Sequence, residues 1–294
     1  MKRIVSYILA LILILSGGAS AHALGVTTMN QSRAVIGANL TEEQISLVYQ
    51  AFGVQRGSVI ELKMTNAEER SYLQGYVSDA VIGTRSISSV YVELRASGTG
   101  MDVTTSNITW CSPQMYLNAL TTAGVSDAHI VVAAPFEVSG TAALAGVYKA
   151  YEDMTGRKLD ATAKSVGTQE LTVTGELAAA IGSYDSTAIV NELKLILAET
   201  ARMSDEELRV RIIEIAAGYH VSLTEKQIGQ LITLCRSLQK LDVDSLRSRV
   251  QQMQGMLERL PEIKDQAVGF WQQLRNAVMT VRDFFNGIAS FFNW

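Results

Sequence analysis

The sequence predicts an α+β protein: a ferredoxin-like, split βαβ part followed by an all-α helical part. Two observations carry this. Up to about Val166, β-branched runs alternating apolar and polar residues interleave with segments of helical period. Beyond it only the helical period remains. From residue 58 the elements read strand, helix, strand, strand, helix, strand. That order suits an antiparallel sheet with helices on one face.

The chain opens on a leader-like segment. Lys2 and Arg3 precede an almost unbroken apolar run over residues 4–15, then Ser16-Gly17-Gly18 breaks any helix. Ala21-His22-Ala23 places small residues where a signal peptidase needs them. The run is short for a membrane span and is flanked like a secretory signal peptide. The expected organisation is a signal peptide over 1–23, an α+β domain over 24–166 and a helical domain over 167–294. The mature chain is expected to be exported, extracellular or envelope-associated, outside the cytoplasmic membrane.

The elements follow in order. Residues 41–52 form a helix: Thr41 caps it, Gln44 completes a capping box, and Ile45, Val48 and Phe52 make the stripe. Gly53 stops it. Residues 58–64 alternate as a strand, and Thr65 or Asn66 starts a short helix carrying Glu68 and Glu69. Residues 86–95 and 101–110 are strands, and Ser97-Gly98-Thr99-Gly100 between them reads as a hairpin turn. Ser112-Pro113 opens a helix with Pro at its first position, ended by Gly124. Residues 130–134 are a short buried strand. A helix starts at Ser139 and runs to about Thr155, closed by Gly156. In the second half, helices are expected over 170–181, 186–201, 205–218, 225–240 and 242–260, with a last one from Pro261 towards Trp294. Ser204 with Glu207 and Thr224 with Gln227 are further capping boxes.

Several long motifs then point to a family. Thr65-Asn66-Ala67-Glu68-Glu69-Arg70, Val81-Ile82-Gly83-Thr84-Arg85-Ser86-Ile87-Ser88-Ser89-Val90-Tyr91-Val92-Glu93, Asn107-Ile108-Thr109-Trp110 and Ala134-Pro135-Phe136-Glu137-Val138-Ser139-Gly140-Thr141-Ala142-Ala143-Leu144 resemble the YpuA-like family of exported Gram-positive bacterial proteins, a domain of unknown function. The resemblance runs from about Gly37 to the last helices. It implies a bacterial, extracytoplasmic protein and supplies no catalytic residues.

Charge and motif content bound the chemistry. With 29 acidic against 25 basic residues the net charge is −4, and loss of Lys2 and Arg3 with the leader makes the mature chain more acidic. That argues against nucleic acid as a partner, because such binding rests on neutralising phosphates. Two cysteines, Cys111 and Cys235, either bridge the two halves or remain lone buried thiols. They and the mature-chain histidines, His129 and His220, have no metal-ligand spacing, and no cofactor motif is present. Ser237-Leu238-Gln239-Lys240 matches a Ser-x-x-Lys pattern without its companion motifs.

Three sets of residues remain as candidates. Strand parity puts Glu61, Lys63, Tyr91, Glu93, Thr105, Asn107, Thr109 and His129 on one sheet face. Glu61, Tyr91, Glu93, Asn107 and His129 are its candidate binding residues, with His129 its one imidazole. The competing reading is an ordinary solvated face. Ser139, Gly140 and Thr141 form either a helix-start anion site or a plain cap. Phe284, Phe285, Phe291, Phe292 and Trp294 lie on an amphipathic last helix, which is either core or a contact for membrane or partner. The functional expectation is a non-catalytic binding or assembly module at the cell envelope. Its partners would be wall polymer, the membrane surface or another exported protein. The alternative is an envelope hydrolase using groups near His129.

Overall fold

The computed structural model describes residues 31–77 and 79–259. It is mixed α+β: a five-stranded sheet with early βαβ elements, followed by a mostly helical region, as expected. The strands are β1 (Ser32–Gly37), β2 (Ile60–Met64), β3 (Ser89–Leu94), β4 (Asp102–Ile108) and β5 (Ala128–Val138). The helices are α1 (Glu42–Phe52), α2 (Asn66–Leu73), α3 (Asp79–Ile82), α4 (Pro113–Ala123), α5 (Ala143–Thr155), α6 (Ala161–Ile181), α7 (Ser183–Leu195), α8 (Leu197–Thr200), α9 (Asp205–Gly218), α10 (Glu225–Leu238) and α11 (Val243–Arg259). Capping boxes at Thr41, Thr65, Ser112, Ser204 and Thr224 set helix starts, each satisfying backbone N–H groups that the first turn leaves free.

The sheet differs from the expected plan in three ways. β1 was not anticipated, yet all six of its residues are buried. Strand order is β2-β1-β3-β5-β4, with β1 parallel to β2 and β4 parallel to β5. Only β3 runs against its neighbours, so the sheet is mixed and not purely antiparallel. Helices cover both faces. The third difference concerns the expected hairpin: β3 and β4 do not pair, because β5 lies between them. The turn residues instead wrap the start of β5. Arg95 N donates to Asp127 O at 2.6 Å, and Gly100 N donates to Asp127 Oδ1 at 2.8 Å.

Two cores result. On one face, Ile45, Val48, Tyr49 and Phe52 of α1 bury against Ala34, Ile36, Tyr91, Val131 and Ala133. On the other, α4 and α5 cover Val35, Val90, Val92, Ile130 and Val132. Burial of this apolar area is the main force holding helices to sheet. α5 starts at Ala143, later than expected, because Ser139 and Gly140 stay with the end of β5.

The helical region is attached by α6, which packs on α4 and runs unbroken through Val166. α7 packs on α4 and α6. Between them lies a fully buried ion pair. Lys194 Nζ donates to Glu170 Oε1 at 2.7 Å, to Thr122 Oγ1 at 3.3 Å and to Asn118 O at 3.3 Å. Thr122 Oγ1 donates to Glu170 Oε2 at 2.5 Å. Neither charge is exposed, so the arrangement tolerates burial only because each partner is hydrogen-bonded. The described residues through Val250 form one compact unit. Gln251 begins a second, of which the described part is the end of α11.

Candidate functional site

The sheet face under α1 carries the candidate residues, and the register says which of them meet. Tyr91 stands opposite Ala34 and Val131, and Glu93 opposite His129. His129 stands opposite Asp102 on β4. Its Nδ1 is 2.6 Å from Asp102 Oδ2, and Asp102 Oδ1 is bridged by Arg95. The His129 and Tyr91 rings meet edge to face with centroids 6.2 Å apart. Tyr91, Glu93 and His129 therefore come together at the junction of β3, β5 and β4.

Electrostatics fix this patch. Tyr91 is buried beneath α1, and its hydroxyl donates to Glu93 Oε2 at 3.1 Å. Burial first, then the Glu93 charge, pushes the phenol up to about 12. Burial would raise the Asp102 carboxyl, but His129 and Arg95 together hold it below its ordinary value. Tyr91 is thus a core residue with a polar tip. Glu93, Asp102 and His129 are the half-buried part that faces outward, with Arg95 exposed beside them.

The other two face residues lie elsewhere. Glu61 is on edge strand β2, separated from β3 by β1, and is engaged by Tyr49 Oη at 2.9 Å and Arg56 Nε at 3.2 Å. Asn107 sits in a β-bulge with φ of 58°, and its Nδ2 donates to Ala134 O at 2.8 Å. The pairing with β5 also corrects the expected parity of β4. Asp102, Thr104 and Ser106 share the His129 face, whereas Thr105 pairs with Val132 on the opposite one. Asp102 and Arg95 were missed because their meeting with His129 depends on β5 lying beside β4. No local signal in the sequence reports that pairing.

Ser139, Gly140 and Thr141 are placed inside the packing. The N-cap of α5 is Ala142, without a side-chain cap, so Ser139 does not cap the helix. Ser139 O accepts from Cys111 N at 3.1 Å, and Gly140 O accepts from Tyr116 Oη at 2.5 Å. Gly140 has φ of 90°, and a Cβ there would stand 2.4 Å from Ile108 Cγ2. Thr141 is buried. Phe284, Phe285, Phe291, Phe292 and Trp294 lie outside the described residues.

The quoted motifs build a second polar cluster. Ser86 Oγ donates to Glu69 Oε1 at 2.5 Å, and Asn66 Nδ2 donates to Oε2 at 3.3 Å. Asn39 Oδ1 accepts from Ser86 N at 2.8 Å. Arg70 turns away, to Asn66, Asp79 and the Gly83 carbonyl. Glu69 is fully buried, and burial raises its carboxyl to about 7 despite these hydrogen bonds. The cluster ties α2 to the segment before β3, which is a structural role for the motif residues. Cys111 and Cys235 are both free and buried, not bridged. Burial pushes the Cys111 thiol up to about 12 and raises Cys235 too, so neither is a ready nucleophile. Among the described residues no group of His, Cys, Asp and Glu is arranged to hold a metal ion. Among the same residues no helix is long and apolar enough to cross a membrane.

A family model described as "Protein of unknown function (DUF1002)" matches residues 36–256, from the end of β1 through the other four strands and into α11. The chain belongs to this family. It is also similar to the uncharacterized protein YpuA of Bacillus subtilis (strain 168), 35% identical over 264 residues that cover 87% of this chain and 88% of that one. The YpuA-like resemblance of the motifs is thereby borne out. No solved structure matches the chain. DUF1002 membership thus brings no catalytic residue to place.

Proposed function

We propose that this chain acts outside the cytoplasmic membrane as a non-catalytic binding or assembly module of the cell envelope. One observation carries the reading: three adjacent strands hold Glu93, Asp102, Arg95 and His129 as a pre-ordered, half-exposed polar patch. Fixed side chains bind at a lower entropic cost than mobile ones. The basic, apolar, small-residue order of residues 1–23 supports export. Wall polymer, the membrane surface and another exported protein are the partner classes this location offers.

A second reading, an envelope hydrolase, draws on the short His129–Asp102 contact. In a catalytic triad an acid orients the imidazole while the other ring nitrogen takes a proton from a nucleophile. Among the described residues His129 makes one side-chain hydrogen bond, to Asp102, and no hydroxyl or thiol bonds to Nε2. Binding is therefore favoured.

The test is co-sedimentation of the purified chain with isolated envelope material, beside His129→Ala and Asp102→Asn. Wild type should pellet and both variants should stay soluble with unchanged melting temperature. Equal pelleting of all three would remove the patch from the account. Turnover of an ester or amide substrate that disappears in His129→Ala would favour the hydrolase instead. Recovery of the whole chain from the cytosol with residues 1–23 attached would end the envelope reading.

A further inference from the structure

A cationic groove lies apart from the sheet patch, where the end of α4, the α5–α6 connection and the α10–α11 connection come together. It has a volume of about 860 Å3. Arg157, Lys158, Lys240 and Arg249 line it, against two carboxylates, Asp160 and Asp242. This concentration of positive charge stands out in a chain of net charge −4.

Both carboxylates are committed to helix starts. Asp160 Oδ1 accepts from Ala163 N at 2.8 Å at the start of α6. Asp242 Oδ1 accepts from Ser245 N at 3.0 Å at the start of α11. The cations are differently placed. Arg157 and Lys240 have no side-chain partner among the described residues. Lys158 pairs with Glu152 at 2.9 Å while 86% of its side chain stays exposed. Arg249 is the anchored one: Nε donates to Thr121 O at 3.1 Å and Nη1 to Ser245 Oγ at 2.9 Å. Burial disfavours its charge and Asp242 offsets only part of that, so a further anion in the groove would relieve a cost the fold still carries.

We propose that this groove binds a phosphate-bearing polyanion, with Arg249 as the fixed contact and Arg157, Lys158 and Lys240 meeting further phosphates at the rim. A guanidinium fork matches the oxygens of a phosphate, and lysines act as point charges beside it. The volume exceeds what one phosphate needs and suits a ligand of several units. The proposal goes beyond the sheet-patch reading and does not depend on it.

The test is titration calorimetry of the mature chain at low salt with linear polyphosphate, inorganic phosphate and polyglutamate as probes. Polyphosphate should bind, and its affinity should fall as salt is added. Combined Arg157→Glu and Lys240→Glu should weaken it by at least about tenfold, since like charge now faces the ligand. His129→Ala should bind as wild type does, which separates the groove from the sheet patch. If the charge-reversed variant does not fold, Arg157→Gln gives the same comparison at an exposed, unpartnered side chain. No polyphosphate binding to wild type, or equal binding by the groove variants, overturns the site. Polyglutamate binding as tightly as polyphosphate overturns the phosphate assignment. Inorganic phosphate binding as tightly overturns the polymeric one.

Discussion

Glu69→Gln should make this protein's stability less dependent on pH. Glu69 is fully buried and held by Ser86 and Asn66, with no ion pair to a cation among the described residues. Its carboxyl is raised from 4.5 to about 7, so the fold favours the protonated form. That preference is fully present below the unfolded carboxyl's own range. It is lost as pH rises through about 7, where the buried group must ionise or the chain unfold. At about 1.4 kcal/mol for each pH unit between the two values, the loss is about 3 kcal/mol. Gln keeps an oxygen to accept from Ser86 and carries no proton to lose. Urea unfolding of both proteins between pH 4 and pH 8 measures the effect (expressed as wild type minus variant, so that other titrating groups cancel). The difference should drift against wild type by about 3 kcal/mol across that span and then level off. Parallel curves would refute the reasoning and mean that Glu69 takes up its proton over the same pH range folded and unfolded.

Three further outcomes are expected. Lys194→Met should destabilise by about 3–5 kcal/mol in urea unfolding because it strands the buried Glu170 charge. The double change with Glu170→Leu should recover most of that loss, and a double variant no better than the single would show the pair is not the cause. Gly140→Ala should lower stability by at least about 1–3 kcal/mol, since its backbone is left-handed and the new Cβ meets Ile108 and Tyr116. An unchanged melting temperature would deny that packing. Cys111 and Cys235 should resist alkylation in the native protein, react on unfolding, and give the same gel mobility with and without reductant. A mobility shift would mean a bridge forms.

How much was legible differs between elements. The helix starts at Thr41, Ser204 and Thr224 read correctly because a capping box and an apolar stripe lie within one short segment, whereas the helix expected over 225–240 ends at Leu238 and the one expected over 170–181 begins at Ala161. β1 did not, because Ser32-Arg33-Ala34-Val35-Ile36-Gly37 has no alternation to mark it and is buried on both faces. The turn at 97–100 was legible as a turn and misleading as a hairpin. Gly98 and Gly100 fit a tight reversal, and nothing near them says that β5 will enter between the strands. Among candidate site residues, Tyr91, Glu93 and His129 were found by parity alone. Their partner Asp102 and the bridging Arg95 were not, since their meeting with His129 requires β5 to lie beside β4, a pairing that no local signal marks.

The sequence by itself determined the class of the fold, the capped helix starts at Thr41, Ser112, Ser204 and Thr224 and the family motifs, because capping, periodicity and chain stiffness act over four or five residues. Tertiary structure alone decided strand order, the Glu69–Ser86 contact across 17 residues, the His129–Asp102 contact across 27 and the Lys194–Asn118 contact across 76. Each joins segments that no local preference brings together. The choice falls to whichever arrangement buries both faces of the sheet while leaving its polar groups paired.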